Sequence, residues 1–392
     1  MRTTMLQATV DAPPVRRTGR RWRWAAGVAA FGFALAASAA NPVQLNAEAW
    51  FLQDFHTGRV LAEENADRKM EPASLVKLMT VYVAFAELAA GDLALDEMVT
   101  VSRKAWKMGG SQMFIEVGSR VSVESLLKGI IVQSGNDASV ALAERVSGTE
   151  EAFVQLMNEH AVALGMTGSS FANSHGLPHE RNYTTARDVA ILMRALMRDF
   201  PEMYAWHTLE SFTHNEITQP NRNRLLKRDP SVDGGKTGYT RAAGYCLAVS
   251  ANREGMRVVA VVMGAPSSRE RFRAAQALFN YGYRNFRTSL VYAENEPIGK
   301  VRVWSGERPS VEAGVAEDLW LTVERRKAER VDTRVAFDEP LIAPVPEAGR
   351  VGTLEVTLGD EKIEERELVA LAEVPQGSLY RRALDWFWLL WR

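Results

Sequence analysis

The sequence predicts an α/β (α+β) domain, then a small all-β domain, then a C-terminal amphipathic helix. Three observations carry this. Helical runs lie between an early and a late pair of apolar strands up to about Phe286. Short strand-like segments punctuated by Gly, Pro and charged turns fill the stretch from Thr288 to Val374. The last residues gather their apolar side chains on one helical face. A chain of 392 residues is long enough for two such domains, and we place them at 41–287 and 288–374, with the helix at 375–392.

Ahead of the first domain, Arg16, Arg17, Arg20, Arg21 and Arg23 form a basic run, followed by an apolar stretch from Trp24 to Ala40 that includes Ala37-Ser38-Ala39. This is the layout of a secretory signal peptide over residues 1–40. The competing reading, an uncleaved anchor, is disfavoured by an apolar run slightly short of a bilayer span. The paired arginines also raise a twin-arginine export route. On either reading the body of the protein leaves the cytoplasm.

Composition excludes several function classes. The 47 basic and 48 acidic side chains leave a net charge of −1, so no polyanion-binding surface is expected and nucleic acid is not a partner. One cysteine, Cys246, excludes an intramolecular disulfide and a multi-cysteine metal site, and reads as a small apolar filler in a strand. The six histidines are scattered, without an H-E-x-x-H, which disfavours a zinc peptidase. Neither metal nor cofactor is expected.

In the first domain, Trp50 to Gln53 and Val60 to Ala62 flank a turn-like Asp54-Phe55-His56-Thr57-Gly58, a hairpin signal. The best helix runs from Pro72 to about Leu88, and later strands are read at Gly244 to Ser250 and Arg257 to Met263. The second domain has strands at Lys300 to Trp304, Leu319 to Val323, Val331 to Phe337 and Gly352 to Leu358. In the final helix Leu379, Tyr380, Ala383, Leu384, Trp386, Phe387, Trp388, Leu390 and Trp391 can share one side, opposite Ser378, Arg381, Arg382, Asp385 and Arg392. Indole rings and snorkelling arginines suit a membrane interface, the alternative being a helix packed on its own protein.

The candidate chemistry lies in three segments. In Pro72-Ala73-Ser74-Leu75-Val76-Lys77 a serine and a lysine stand three apart, which puts both on one helical face. Pro72 suits a first helical position, placing Ser74 in the first turn, where an N–H is open to an oxyanion. A lysine made neutral by burial or a nearby cation can act as base to the hydroxyl. Ser125 and Lys128 repeat the spacing and read as helix-surface residues. Next, Ser134-Gly135-Asn136 falls on a turn between helices, with Asp137 read as the cap of the second; it offers a proton relay and an amide donor. Ser250-Ala251-Asn252 has the same pattern and reads as a hairpin turn.

The third segment, Gly234-Gly235-Lys236-Thr237-Gly238-Tyr239, enters a strand edge where the glycines allow close approach by a ligand. Lys236 and Thr237 would meet an anionic group such as a terminal carboxylate, and Arg271 could pair with it bidentately. His175 is not read as a catalytic base, because no G-x-S-x-G elbow surrounds Ser74; it reads as structural or site-lining.

Ser-x-x-Lys, Ser-x-Asn and Lys-Thr-Gly in this order are the elements of penicillin-binding proteins and serine β-lactamases. The chain resembles the low-molecular-mass D-alanyl-D-alanine carboxypeptidases of the S11 peptidase type, through Pro72-Ala73-Ser74-Leu75, Ser134-Gly135-Asn136-Asp137-Ala138, His175-Gly176-Leu177, Asn221-Arg222-Asn223, Val232-Asp233-Gly234 and Ala243-Gly244-Tyr245. The likeness implies a penicillin-binding/β-lactamase-like domain, with the β domain and tail standing it off from and attaching it to the inner membrane, on the periplasmic face. It implies peptidoglycan stem peptides as substrate and β-lactam antibiotics as acylating inhibitors.

The resemblance also implies roles. Ser74 attacks the carbonyl between the last two D-alanines, Lys77 takes its proton, and Ser134 passes a proton to the leaving amine. Asn136 holds the substrate amide. The N–H groups of Ser74 and Tyr239, with Gly238 beside them, form the oxyanion hole, and Lys236, Thr237 and Arg271 grip the carboxylate, while His175 lines the site. Tyr239 departs from some relatives, which carry histidine there. The rival readings are a cross-link-cutting endopeptidase, a β-lactamase, and an idle wall-binding protein.

Overall fold

The computed structural model describes residues 43–389. The leader read at 1–40 and the last residues, Leu390, Trp391 and Arg392, lie outside the described residues. Five antiparallel strands form the first domain's sheet: β1 (Ala49–Asp54), β2 (Val60–Glu64), β3 (Val232–Thr240), β4 (Gly244–Arg253) and β5 (Met256–Ala265), in the spatial order β2-β1-β5-β4-β3. The sheet joins both ends of the domain, as the early and late apolar strands require. Successive residues of a strand point to opposite faces, and here both faces are buried. Val258, Ala260 and Val262 pack with Trp50 and Leu52 against helix α6, while Val259, Val261 and Met263 pack with Phe51 against helices α1 to α5. That is why β5 is apolar throughout rather than alternating.

The helices are α1 (Val76–Ala90), α2 (Val123–Lys128), α3 (Asn136–Ser147), α4 (Glu150–Ala163), α5 (Ala186–Asp199) and α6 (Ser268–Asn285). Residues 73–90 are long and apolar enough to cross a membrane, yet α1 is buried on every side from Val76 to Phe85, so it is the core helix about which the others pack.

Three local readings are corrected. Pro72 does not open a continuous α-helix: Ala73 takes a left-handed φ of 47°, Ala73–Leu75 form a tight 3₁₀ turn, and α1 begins at Val76. Asp137 does not cap α3, because Gly135 holds that position and the Asp137 carboxylate is spent on the Met113–Ile115 loop. Ser250-Ala251-Asn252 is a stretch of β4 and not a turn; Ser250 is fully buried and donates to Asp233 at 2.5 Å. Ser125 and Lys128 lie partly exposed on α2, as read; the Ser125 N–H is taken by the Ser122 hydroxyl at 3.2 Å and Lys128 pairs with Glu124, so the decoy has neither a free N–H nor an unpaired amine.

The second domain is all β, and beyond the four strands read from sequence it contains four more. Its strands are β6 (Phe286–Tyr292), β7 (Gly299–Trp304), β8 (Ser310–Gly314), β9 (Leu319–Glu324), β10 (Val331–Phe337), β11 (Leu341–Ile342), β12 (Arg350–Leu358) and β13 (Glu361–Ala370). Six form one sheet in the order β10-β12-β13-β8-β7-β11, and β6 pairs with β9. Val301, Val303, Val351, Leu354 and Val356 fill its core. Strands β6, β8 and β13 escaped the sequence because charged and exposed residues interrupt their apolar alternation, and β11 because it is two residues long. Helix α7 (Leu379–Leu389 among the described residues) follows, opening at Leu379 where 375 was expected, with Arg381 donating to Glu307 O and Asp385 accepting from Ser305 N.

A buried carboxylate ties the domains together. Asp54, fully enclosed at the end of β1, accepts from Thr57 N (2.8 Å), Thr57 Oγ1 (2.9 Å) and Thr288 Oγ1 of β6 (2.7 Å), while Thr322 of β9 bonds both threonines. Replacing Asp54 with alanine orphans buried donors. The expected cost is about 2–4 kcal/mol, read as a lower urea midpoint.

Candidate active site

Ser74 lines a cleft of about 520 Å³, held between two closely approaching backbones, one of which only glycine allows. Gly176 has φ +85°, and a Cβ there would lie 1.9 Å from the Ala73 carbonyl oxygen. On the other side a Cβ built on Gly238 would lie 3.3 Å from Ser74 N. The serine is thus wedged between the 174–177 turn and the free edge of β3, and the left-handed Ala73 is the strained residue that lets the chain enter α1 from there.

Lys77, one turn further, is completely buried. Its ammonium reaches Ser74 Oγ at 3.3 Å and Asn136 Oδ1 at 2.7 Å, and it donates to the His175 carbonyl. Burial pushes its pKa down to about 7, the nearby Arg222 guanidinium pushes the same way, and Asp137 opposes them. Asn136 is fixed in turn, its Nδ2 donating to Gly109 O at 2.7 Å.

Ser134 has a left-handed φ of 68° at the end of a π turn, Gly129–Gln133, that continues α2. This places its hydroxyl 2.9 Å from Lys236 Nζ, which also donates to Thr237 O at 3.0 Å. Lys236 is buried beneath the cleft floor, and burial first, then the charges of Lys77, Arg222 and Arg271, hold its pKa well below the ordinary lysine value.

The two serine–lysine pairs therefore share one site, at the free edge of β3. Thr237, Gly238 and Tyr239 line the cleft from that edge, with Tyr239 half exposed and its ring 4.3 Å from Tyr245. Arg271, in the first turns of α6, also lines it; Nη1 donates to Gly238 O at 3.1 Å, and burial lowers its pKa to about 10. Its Nε is buried without a partner, a donor left for a ligand or water.

His175 contributes chiefly its carbonyl. Its ring accepts from Leu177 N at Nδ1 (3.1 Å) and lies 3.4 Å from Glu150 through Nε2, and burial lowers its pKa to about 4, so the imidazole is neutral. Among the described residues no group of three or more His, Cys, Asp or Glu is placed to hold a metal.

Comparison with known proteins accounts for this arrangement. Residues 36–267 match the family model described as D-alanyl-D-alanine carboxypeptidase, peptidase S11, and residues 286–376 match that of the penicillin-binding protein 5 C-terminal domain. The chain belongs to the S11 D-alanyl-D-alanine carboxypeptidase family. The D-alanyl-D-alanine carboxypeptidase DacC of Escherichia coli is 42% identical over 349 residues, 87% of each chain. Penicillin-binding protein 5 of Haemophilus influenzae superposes with a TM-score of 0.78 at 36% identity, over 86% of this chain and 100% of that one. Penicillin-binding protein D2 of Listeria monocytogenes, solved in an ampicillin-bound form, matches 62% of this chain and 98% of its own at 29% identity and a TM-score of 0.57.

For this S11 member two site residues escaped the reading of chemistry. Arg222 lines the cleft and donates to Gln133 O at 3.0 Å; Asn221-Arg222-Asn223 carries part of the family likeness, but no role at the site is read for it in the sequence. Glu150, which touches Ser174 and His175, looks like an ordinary acidic residue after the Thr149 cap. Gly176→Ala should cut labelling by fluorescent penicillin by about tenfold or more, because the added methyl must displace Ala73 and with it Ser74. Quantifying the labelled band against time checks this.

Proposed function

We propose that this chain removes the terminal D-alanine from peptidoglycan stem pentapeptides through an acyl-enzyme at Ser74, and that β-lactams acylate the same serine. The observation that carries the reading is the contact of Ser74 Oγ with a buried lysine whose pKa lies near 7. A neutral amine has two hydrogens and one lone pair. Asn136 Oδ1 and the His175 carbonyl can accept the two hydrogens, which leaves the lone pair for the Ser74 proton.

The freed Ser74 oxygen attacks the carbonyl carbon of the penultimate D-alanine, and the negative charge falls on the carbonyl oxygen. The N–H groups of Ser74 and Tyr239 receive it. Ser134, its hydroxyl held 2.9 Å from Lys236 Nζ, gives its proton to the departing amine and receives in its place the one that Lys77 took from Ser74, and the C–N bond breaks to release D-alanine. Asn136, which lines the cleft and donates from Nδ2 to Gly109 O at 2.7 Å, meets the substrate amide. Thr237 and Arg271, joined by Arg222, hold the terminal carboxylate. Water then hydrolyses the ester.

The functional chain is exported: residues 1–40 are its leader, 41–287 and 288–374 its two domains, and α7 its attachment to the inner membrane on the periplasmic face. Supporting this, α7 turns Arg381 and Asp385 toward the β domain, whereas Leu379, Tyr380, Trp386 and Trp388 stand 63–81% exposed. A soluble helix faces the other way.

Purified protein without leader and tail should release D-alanine from a diacetyl-Lys-D-Ala-D-Ala peptide, and Ser74→Ala should lose roughly a thousandfold or more. No release, with penicillin still bound at Ser74, would point to a cross-link-cutting endopeptidase instead. The acylation rate constant should rise with pH through about 7, since only the neutral Lys77 accepts a proton. Arg222→Ala removes a charge that depresses this pKa, so the acid limb should move to higher pH; stopped-flow acylation across pH reads it. Chain ending at Ser378 should lose flotation with anionic liposomes by about tenfold or more while acylating normally.

A further inference from the structure

We infer that Glu150 is a positioning residue for the acylation step, holding the Ser174–His175 segment so that the His175 carbonyl orients the Lys77 amine. This rests on the reading of Lys77 as the base for Ser74. The Glu150 carboxylate is buried at the start of α4, on the far side of the 174–177 turn from α1. Its Oε1 accepts from Ser174 N at 3.0 Å and Ser174 Oγ at 2.8 Å and lies 3.4 Å from His175 Nε2. Lys104, from the short helix Arg103–Trp106, sits 3.0 Å from Oε2 and also pairs with Glu151.

On its opposite side the same segment faces α1. Ser174 O accepts from Thr80 Oγ1 at 2.6 Å, and His175 O accepts from Lys77 Nζ. Two consecutive peptide units are thereby stretched between Glu150 and the catalytic helix. Asn173 Oδ1 closes the turn by accepting from Gly176 N at 2.6 Å, and His175 Nδ1 accepts from Leu177 N, which fixes the ring with its proton on Nε2, directed at Glu150. Three contacts from one carboxylate thus set where the His175 carbonyl lies.

That carbonyl matters because it takes one of the two amine hydrogens. If it shifts, the lone pair no longer points at the Ser74 hydroxyl, although the groups on the β3 side of the cleft, Thr237, Tyr239 and Arg271, stay in place to hold the ligand while the His175–Leu177 wall moves. A misplacement of about an ångström at a reacting group can cost on the order of a hundredfold in rate. The loss should therefore fall on the covalent step and not on binding.

The test separates the noncovalent dissociation constant from the acylation rate constant, using a chromogenic cephalosporin in stopped flow on the protein without leader and tail. Glu150→Ala should lower the acylation rate constant by roughly 10- to 100-fold with the dissociation constant within about twofold. Glu150→Gln keeps an acceptor for Ser174 and His175 while Lys104 retains Glu151, and should stay within about threefold of the parent. Complete labelling at long times and an unchanged circular dichroism spectrum show that each variant is folded.

An unchanged acylation rate in Glu150→Ala, a loss confined to the dissociation constant, or a Gln variant as slow as the Ala variant would each overturn the inference. Ser74→Ala, run alongside, separates this from the reading beneath it. Adduct formation in Ser74→Ala would remove Ser74 as nucleophile, whereas an inert Ser74→Ala beside a parent-like Glu150→Ala would remove the positioning role alone.

Discussion

The enclosure of one lysine amine is the constraint on which the rest depends. Lys77 sits in the core helix of the domain, with no exposure to water, and is met by a serine hydroxyl, an amide oxygen and a backbone carbonyl. A charge so placed is costly, and the pKa falls until the neutral amine becomes accessible near neutral pH. A second cation, Arg222, works in the same direction. The apolar density of α1, which at first sight suits a membrane, is what creates this environment.

Each partner of that amine is fixed by a different part of the fold. Ser74 is clamped by Gly176 and Gly238, Asn136 is tied to Gly109 O, and the loop beside it is drawn in by the Asp137 carboxylate, which accepts from Met113, Phe114 and Ile115 N–H groups. Ser134 and Lys236 form a second serine–lysine pair at the edge of β3. The left-handed residues Ala73 and Ser134 both lie at the reacting groups, where local strain is held by the surrounding packing. Preorganisation of this kind is distributed over residues 73–271, so the α/β domain must be complete before the site exists.

Spacing made the site legible to a considerable degree. Ser74 and Lys77 three apart, Ser134 and Asn136 two apart, and the glycine-flanked Lys236-Thr237 each encode local geometry, and four of the five strands of the first sheet are legible as apolar runs, β3 being marked only by its glycine-rich segment. What could not be read were partnerships across long sequence separations. Asp137 looked like a cap because an acidic residue at a helix start usually is one, and nothing local reveals that its acceptors serve a loop more than twenty residues earlier. Ser250 looked like a turn residue because its burial depends on Tyr204 and Asp233. The Ser74 pair and the Ser125 decoy share spacing; they differ in that Ser74 sits in a 3₁₀ turn ahead of its helix, in the burial of the lysine, and in Glu124, which pairs with Lys128.

The state of the Lys77 amine is directly measurable. With lysines labelled with ¹⁵N at Nζ, the protein without leader and tail can be titrated by NMR and the Lys77 resonance assigned by its loss in Lys77→Met. A midpoint near pH 7, well below the ordinary lysine value of about 10.4, is the predicted result. A Lys77 resonance that titrates with the surface lysines, above about pH 9, would contradict a neutral amine as the base for Ser74.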